Sequence, residues 1–311
     1  MTQASLPQGS PPAAPAADEA PPPERQFRAI LRALTANRLA LVALIVLGLL
    51  VLAAIFGGAL APQSPNQVNV SERLQPPGAG HIFGTDELGR DVFSRILAAS
   101  RVSVQVGLVA VGISLVAGVT LGLLAGFYGR WVDDVIMRVM DMLFAFPAIL
   151  LAIAIVAVLG PGATNAMIAI GIVYTPILAR ITRASVLSVR EEVFVRAARS
   201  LGASDLRLLV RHILPNVTAP IIVQTSLSLA FAILSEAALS FLGLGVQPPD
   251  PSWGRMLFEG RGFIQQAWWM GVFPGLAIFV TVLSFNLVGD ALRDALDPRQ
   301  RSAIEARGVR A

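Results

Sequence analysis

Two histidines, His81 and His212, are the side chains of this 311-residue chain best suited to acid–base or metal chemistry. No second ligand stands at helical spacing from His212, so a helical two-histidine metal motif is excluded. The chain has no cysteine, and every one of its 24 basic residues is an arginine. Thiol chemistry, Schiff-base catalysis and a phosphate-binding loop with its lysine are therefore excluded. The chain cannot hydrolyse ATP at a Walker-type site of its own.

Glu236 is the one carboxylate that falls well inside the outer end of an apolar segment. Ionisable groups within a membrane are functional candidates because their burial is costly. Glu236 is therefore a candidate gate or pore residue, with a position at the aqueous rim as the alternative. Pro147 is a second gating candidate, because a proline bends the helix in which it lies. A membrane-embedded hydrolase would need a catalytic pair near the midplane, where neither histidine is predicted to fall.

The elements that carry these residues are apolar segments long enough to cross a bilayer. The composition is 55% hydrophobic and 14% charged, which is typical of a multi-pass membrane protein. A crossing helix needs about 20 mostly apolar residues. Six spans are predicted, at residues 39–60, 102–127, 143–159, 166–179, 221–239 and 270–287. Gly118, Gly122 and Gly126 repeat at fourfold spacing in the second span, which predicts close approach of another helix.

The arginines are distributed unevenly along the chain. With a cytoplasmic N-terminus, 18 of the 24 arginines fall on the inner side, which predicts that both termini are cytoplasmic. Outer arginines between residues 73 and 101 are predicted to pair in part with the carboxylates among them. This distribution suits a membrane, and no nucleic-acid partner is expected. The predicted units are a disordered Pro/Ala-rich tail at 1–30, a first span and outer loop at 31–101, a five-helix core at 102–292 with a cytoplasmic loop at 183–215, and a C-terminal tail at 293–311.

A basic, glycine-centred segment interrupts the apolar pattern and reads RAARSLGASDLRLLVRHILP. Gly202 is predicted to end one short helix in the left-handed conformation, and Ser204 to cap the next. Pro215 is predicted to stop this second helix. Apolar residues at helical spacing predict its buried face: Leu206, Leu209, Val210 and Ile213. The alternative is an ordinary amphipathic helix whose basic face lies on anionic lipid.

This segment resembles the cytoplasmic EAA loop of binding-protein-dependent ABC importer permeases, whose pattern is E-A-A, three residues, G, nine residues, I-x-L-P. Two positions depart from the pattern, because Arg196 replaces the glutamate and His212 the isoleucine. Glu192, four residues earlier, is predicted to pair with Arg196 along the helix. The resemblance implies that one set of residues docks against an ATPase subunit: Arg196, Ala197, Ala198, Gly202, Ala203, Ser204, Asp205, Leu214 and Pro215.

Three further segments resemble the dipeptide/oligopeptide/nickel subfamily, specifically its C-type permease. They read FGTDELGRDVFSR, SEAALSFLGLGVQPPDPSWGRML and NLVGDALRDALDPR. The first is predicted to be an amphipathic helix on the outer membrane surface, capped by Thr85 or Asp86. In the second, Trp253 is predicted to anchor an outer loop at the interface. Candidate contacts for an extracytoplasmic binding protein are Asp86, Arg90, Asp91 and Trp253.

The resemblance implies an all-α membrane protein with about six transmembrane helices, of the type I ABC importer permease fold, in the bacterial plasma (inner) membrane. The implied function is a non-catalytic half of a pore for di- or oligopeptides. A homologous second permease, two ATPase subunits that bind ATP and Mg²⁺, and an extracytoplasmic binding protein would complete the system. No cofactor or metal is expected in this chain itself. The alternatives are an importer for nickel or another small solute such as glutathione, a passive channel, and a membrane-embedded hydrolase.

Overall fold

The computed structural model describes residues 34–35 and 37–296. The predicted disordered tail at 1–30 therefore lies outside the described residues, as do residues 297–311 of the predicted C-terminal tail. The described part of the chain is almost entirely helical. Its helices are α1 (Arg38–Leu60), α2 (Val92–Tyr128), α3 (Arg130–Phe144), α4 (Ala148–Leu159), α5 (Ala163–Val189), α6 (Val193–Ser200), α7 (Asp205–Phe241), α8 (Trp253–Gly260) and α9 (Trp269–Leu296).

Five of these helices are long and apolar enough to cross a bilayer: α1, α2, α5, α7 and α9. Most extend beyond the predicted spans, because helical hydrogen bonding continues past the apolar stretch into charged residues. The predicted division between units at residues 101 and 102 consequently falls inside α2. Local sequence sets the starts of two spans. The Asn37 side chain accepts from the backbone of Leu39 and Ala40 before α1, and the Asp91 side chain accepts from Ser94 N–H before α2.

The predicted third span, 143–159, is not one straight helix. It belongs to two helices, α3 and α4, whose axes differ by 92° across the break at Ala145–Pro147. Pro147 occupies the N-cap position of α4 with ψ 131°, outside the helical range. The prediction that Pro147 bends this segment is confirmed, although the bend is a full break. The 12 residues of α4 rise only about 18 Å, short of a hydrocarbon core of about 30 Å.

An extended close contact between helices runs along the three glycines of α2. A Cβ on Gly118 would lie 2.7 Å from the Leu178 Cβ, and one on Gly122 would lie 2.5 Å from the Ala179 carbonyl oxygen. A Cβ on Gly126 would lie 2.7 Å from the Val186 Cβ. The predicted glycine surface is therefore confirmed, and its partner is α5. Because only hydrogen atoms separate these backbones, α2 and α5 form one tightly packed pair.

The bundle has two ends. At the α6 end, α2 and α5 finish and α7 begins, around a cluster that includes Phe127, Val186 and Val217. At the α8 end, α2 and α9 begin, around a cluster that includes Val92, Met256 and Trp269. The candidate functional residues divide between these two ends.

Candidate functional site

The α6–α7 corner, residues 193–213, is built around a glycine. Gly202 has φ +81°, and α6 ends there in a Schellman motif. Gly202 N–H donates to the Arg199 carbonyl at 3.0 Å, and Ala203 N–H donates to the Ala198 carbonyl at 3.1 Å. These bonds satisfy carbonyls that a helix end leaves free. Since no atom lies within 4 Å of a Cβ built on Gly202, backbone conformation rather than packing requires the glycine. The predicted left-handed glycine is confirmed.

The second half of the corner differs from the prediction. Ser204 stands at the N-cap of α7, but its side chain makes no capping hydrogen bond. The helix does not stop before Pro215. Residues 208–213 form a wider π-type turn, in which Leu214 N–H donates to the Leu209 carbonyl five residues back. Pro215 then falls in the first turn of the regular helix that follows, where its missing N–H costs no bond.

One face of the corner is buried. Val195, Leu208 and Ile213 are at most 1% exposed and belong to the cluster that holds the ends of α2 and α5. The predicted buried face is only half right, because Leu206 and Val210 are exposed. A π turn holds more residues per turn than an α turn, so burial follows positions 208, 209 and 213 instead.

The corner also exposes large apolar side chains. Their exposed fractions are 71% for Val193, 89% for Leu201, 72% for Leu206 and 56% for Val210. Arg207 and Arg211 are exposed among them. Burying each such side chain against a partner would contribute about 1.5–3 kcal/mol. We call these four apolar residues the corner patch.

Arg196 does not pair with Glu192. Arg196 is exposed, and among the described residues no ion pair joins the two side chains. The Glu192 backbone carbonyl instead accepts the Arg196 N–H at 3.1 Å. Glu192 is the N-cap of α6 and has extended backbone with ψ 148°. Because Glu192 lies outside the helix, its side chain does not point along the helix surface towards Arg196 as it would in an i, i+4 helical pair.

Two arginines hold the corner against the end of α2. Arg190, which follows α5, donates from Nη1 to the Gly126 carbonyl at 2.7 Å. The Arg199 guanidinium of α6 lies 5.4 Å from the centre of the Phe127 ring, within the range of a cation–π contact. The corner is thus connected to the α2–α5 pair by polar contacts as well as by the buried cluster.

An ion-pair network lies at the α8 end. Arg90 donates from Nε to Asp86 Oδ2 at 2.6 Å and from Nη2 to Glu259 Oε2 at 2.9 Å. Arg95, 1% exposed, donates to the same Glu259 oxygen at 3.2 Å. Arg255 donates to Glu259 Oε1 at 3.0 Å. The prediction that outer arginines pair with nearby carboxylates is confirmed for Arg90 and Arg95, while Glu259 is a partner that sequence reasoning missed.

The predicted surface helix at residues 83–95 is wrong in its first half. Residues 83–91 form a loop with a single β-bridge between Thr85 and Asp91, and the helix begins only at Val92. Thr85 and Asp86 are buried and cap no helix. The Asp86 carboxylate instead accepts the backbone N–H groups of Leu88 and Arg90, each at 2.9 Å. These bonds favour the loop over helix, because they satisfy its backbone locally.

The four residues proposed to contact a binding protein are almost fully buried. Asp86, Arg90, Asp91 and Trp253 are each at most 5% exposed. Trp253 donates its indole N–H to the Ile96 carbonyl at 3.2 Å, so it is a core residue and not the predicted interfacial anchor. In this conformation the four side chains support the α8 end from inside and offer little surface to another protein.

Three carboxylates of this network come close together, but they do not fit a metal ion. Oxygens of Asp86, Glu87 and Glu259 lie within 4.8 Å of one another. Arg90 pairs with all three, and Arg95 and Arg255 also pair with Glu259. Three guanidinium groups therefore already balance the three negative charges. Burial, with the nearby Asp86 charge, raises the pKa of Glu87. Its Oε2 is buried without a hydrogen-bond partner, which makes Glu87 the weakest member of the network.

The histidines are also structural. His81 is 6% exposed, and its Nδ1 lies 3.0 Å from Asp91 Oδ1. His212 lies in the π-type turn at the opposite end of the bundle. The two are therefore not brought together, and no histidine pair for catalysis exists among the described residues.

The two gating candidates differ in exposure. Glu236 is 2% exposed and accepts a 2.6 Å hydrogen bond from Ser240 Oγ, which in turn accepts from Val246 N–H at 3.0 Å. Glu236 thus ties the end of α7 to the following loop, and it contributes almost no surface to a pathway. Pro147 is exposed at the break between α3 and α4, beside Phe146, which is 60% exposed.

Sequence reasoning missed a set of contacts between α3 and α5. Arg183 forms a two-pronged ion pair with Asp133, and Arg180 donates to Asp141 at 2.6 Å. The Arg180 guanidinium also lies 4.4 Å from the centre of the Phe144 ring. We call these five residues the α3–α5 clamp. A signal for it existed in the sequence. Three aspartates lie in the amphipathic α3, and two arginines three residues apart follow an apolar run in α5.

Comparisons with known proteins agree over most of the chain. A family model described as a binding-protein-dependent transport system inner membrane component matches residues 118–302. A second, described as the N-terminal TM domain of oligopeptide transport permease C, matches residues 25–77. The chain is 52% identical over 288 residues to the dipeptide transport system permease protein DppC of Alkalihalophilus pseudofirmus, covering 91% of this chain and 95% of that protein.

Two other curated relatives differ in the solute that their names state. The di/tripeptide transport system permease protein DppC of Pseudomonas aeruginosa is 46% identical, with 93% of this chain and 98% of that protein covered. The glutathione transport system permease protein GsiD of Escherichia coli is 46% identical, with 88% and 89% covered. A solved structure of the MetNI methionine ABC transporter in an inward-facing conformation aligns with a TM-score of 0.54 at 15% identity, covering 65% of this chain and 96% of that chain. At that identity the likeness shows the fold alone.

Proposed function

Because this chain belongs to the family of binding-protein-dependent transport system inner membrane components, we propose that it forms one half of an ATP-driven import pore for di- or oligopeptides. The fold is the all-α, type I ABC importer permease fold. A homologous second permease completes the pore, and an extracytoplasmic binding protein delivers the peptide. Two ATPase subunits bind ATP and Mg²⁺ and supply the energy, since this chain has no lysine with which to build a Walker-type phosphate-binding loop.

The observation that carries this proposal is the α6–α7 corner. Its corner patch exposes four large apolar side chains on a short helical element whose first helix ends in a Schellman motif. Exposed apolar side chains gathered in this way are typical of a protein–protein contact. The docking partner is the ATPase, with the corner patch and Arg196, Ala197 and Asp205 at its surface. The two positions that depart from the EAA pattern, Arg196 and His212, leave this shape and its apolar face intact.

The orientation of the chain follows from its charge. The α6 end carries Arg190, Arg196, Arg199, Arg207 and Arg211, and an excess of arginine marks the cytoplasmic side. The α6 end and both termini are therefore cytoplasmic in the bacterial plasma membrane. The α8 end faces outward, where the binding protein docks on the exposed rim of the loop that Asp86 and Arg90 support.

The substrate class rests on the relatives. The curated relative with 52% identity and another with 46% identity are named as dipeptide and di/tripeptide permeases. Glutathione is a second candidate, since a relative named for it is also 46% identical. All three are small peptides with free carboxylates, so the chemistry of the cargo is shared.

Uptake by the reconstituted complex tests the proposal. The permease, its partner permease, the ATPases and the binding protein would be placed in proteoliposomes and supplied with ATP and radiolabelled dipeptide or glutathione. Uptake of dipeptide that stops without ATP is expected. Uptake that continues without ATP would indicate a passive channel, and uptake of glutathione alone would correct the substrate.

A matched pair of variants tests the docking surface. Leu206→Asp places a charge in the corner patch and should release the ATPase from the purified complex. Val70→Asp is the control, because Val70 is equally exposed, at 70%, in the single 3-10 turn Val70–Glu72 of the segment between α1 and α2. Retention of the ATPase by Leu206→Asp, or its loss from Val70→Asp, would contradict the docking assignment.

A further inference from the structure

Helix α3 is held in place by very little packing. Of its fifteen residues, Met140 is the only buried one. It begins after a sharp turn at Gly129 and Arg130, whose φ angles are +64° and +48°, and it ends at the break before Pro147. Neither end continues into a straight helix, so the backbone alone does not fix the direction of α3. Its side-chain contacts must do so.

The α3–α5 clamp supplies those contacts. The guanidinium of Arg183 holds both carboxylate oxygens of Asp133, a geometry that restricts rotation as well as distance. This pair is partly shielded, with 33% of the Arg183 side chain and 14% of the Asp133 side chain exposed. The second pair, Arg180 with Asp141, is more exposed at 45% and 59%. Water therefore screens it more, and the Asp133–Arg183 pair is the stronger of the two.

Helix α5 is a rigid support for the clamp. Its backbone touches α2 at Gly118, Gly122 and Gly126, where no side chain separates the two helices. After a link of three residues, 190–192, the chain enters α6 and the α6–α7 corner. Arg190 fixes that junction to α2 through the Gly126 carbonyl. A displacement of the corner must therefore move α5 and α2 as one body.

We infer that Asp133 and Arg183, with Asp141 and Arg180, are positioning residues that carry movement of the corner to the bent α3–α4 pair. This inference rests on the proposed function, because it takes the corner as the docking site of the ATPase. When the corner moves with the ATPase, the clamp makes α3 follow α5, and the exposed break at Pro147 changes its angle. Without the clamp, α3 does not move with α5, and ATP hydrolysis proceeds without the corresponding movement of the pore.

The test compares transport with hydrolysis in the reconstituted complex. Asp133→Asn and Arg183→Gln each remove the stronger ion pair, while Asp133→Arg combined with Arg183→Asp restores it in reverse. Asp134→Asn is the matched control, because Asp134 is exposed on the same helix and makes no ion pair among the described residues. The single variants should lower the uptake of dipeptide per ATP hydrolysed roughly fivefold, which corresponds to about 1 kcal/mol. The reversed pair should recover most of the ratio, and the control should keep it.

A second measurement does not depend on transport. The chain has no cysteine, so nitroxide labels can be attached at Val135→Cys on α3 and Ala184→Cys on α5, both of which are exposed positions. The label-to-label distance distribution in the complex should broaden in Asp133→Asn and narrow again in the reversed pair. Both are compared with the same labels in the otherwise wild-type chain.

The outcomes separate the two proposals. Single variants with a wild-type ratio of uptake to hydrolysis, or with an unchanged distance distribution, would overturn the role of the clamp. Equal loss of uptake and hydrolysis would also overturn it, because that result indicates weaker ATPase docking. If the wild-type complex itself imports no peptide, the proposed function fails, and the distance measurement still decides whether the clamp holds α3.

Discussion

Substitutions of Gly202 should weaken ATPase docking by increasing amounts, because the backbone conformation at this position, and not the space around it, requires glycine. Its φ is +81°, and a Cβ there would meet no atom within 4 Å. The substitutions Gly202→Asn, Gly202→Ala and Gly202→Val should therefore differ through strain alone. Asparagine tolerates the left-handed region, alanine loses roughly 1–2 kcal/mol there, and a β-branched valine loses more.

Relaxation of the strain would break the Schellman motif. A valine that moves to extended backbone would lose the bonds from Gly202 N–H to Arg199 and from Ala203 N–H to Ala198. Each such bond contributes roughly 1–1.5 kcal/mol, so the loss of both in Gly202→Val costs roughly 2–3 kcal/mol. If this distorts the docking surface, affinity for the ATPase falls about tenfold per 1.4 kcal/mol. The expected order is asparagine within about threefold of wild type, alanine about tenfold weaker, and valine weaker than alanine by a further factor of about ten.

The assay is titration of purified permease complex with the ATPase, followed by peptide uptake in proteoliposomes. Gly262→Val is the control, because Gly262 has equal space around it and no left-handed φ. The thermal unfolding temperature of each variant separates loss of docking from loss of fold. Wild-type affinity in Gly202→Val, or equal damage by asparagine and valine, would refute the reasoning that backbone conformation at this position shapes the docking surface.

Three further changes have outcomes that follow from the described contacts. Gly122→Ala should lower the free energy of unfolding by about 1–3 kcal/mol, because its Cβ would lie 2.5 Å from the Ala179 carbonyl oxygen. The control is Gly112→Ala in the same helix, whose Cβ would meet nothing within 4 Å. This control should leave the thermal unfolding temperature unchanged. Burial raises the pKa of Glu87, so the folded state binds its proton more tightly than the unfolded state and stability should increase as pH falls through that pKa. Glu87→Gln should flatten this dependence in melting curves recorded across pH, and a dependence that persists unchanged would assign it to another group. Glu236→Gln keeps an acceptor for the Ser240 hydroxyl and should unfold near the wild-type temperature. Glu236→Leu leaves that donor without an acceptor and should lower the free energy of unfolding by about 1–3 kcal/mol. Equal unfolding temperatures for the two variants would contradict this role.

The spans and the glycine positions could be predicted from the sequence because each depends on local chemistry. Apolar length alone indicates α1 and α9, since a bilayer requires a certain helix length. The close approach at Gly122 follows from the absence of a side chain, and the left-handed backbone of Gly202 follows from the residue type that tolerates it best. These features require no knowledge of which residues are distant neighbours.

The position of the bend at Pro147 could be predicted from the proline, but its size could not, and neither could the π-type turn at 208–213. An average of hydropathy over residues 143–159 cannot distinguish a straight span from a 92° corner. Likewise, Pro215 is a valid signal for a helix stop. A helix can also accommodate such a proline by widening one turn, and the buried cluster around Leu208 and Ile213 favours that solution here.

The predicted exposure of the charged residues at the α8 end was wrong for a different reason. Charged residues such as Asp86 and Arg90 are usually exposed, so a sequence rich in them predicts a surface. Here they are buried because Glu259, contributed by α8, completes their pairing. That partner lies far along the chain, and only the tertiary structure brings it near. The same holds for Asp133 and Arg183, which lie 50 residues apart in the chain and pair only because α3 packs beside α5.

The two hydrogen-bonded indoles of the α8 end give this protein an intrinsic optical reporter. Trp253 donates to the Ile96 carbonyl at 3.2 Å, and Trp269 donates to the Thr85 carbonyl at 2.9 Å. Both are at most 4% exposed, whereas Trp131 on α3 is 72% exposed. Buried indoles emit at shorter wavelengths than hydrated ones, so opening of the α8 end would shift the emission of this pair to the red. Trp268 is also exposed, at 50%, so Trp131→Phe and Trp268→Phe together remove the exposed contribution. Fluorescence of this unlabelled chain would then follow that end of the molecule in real time.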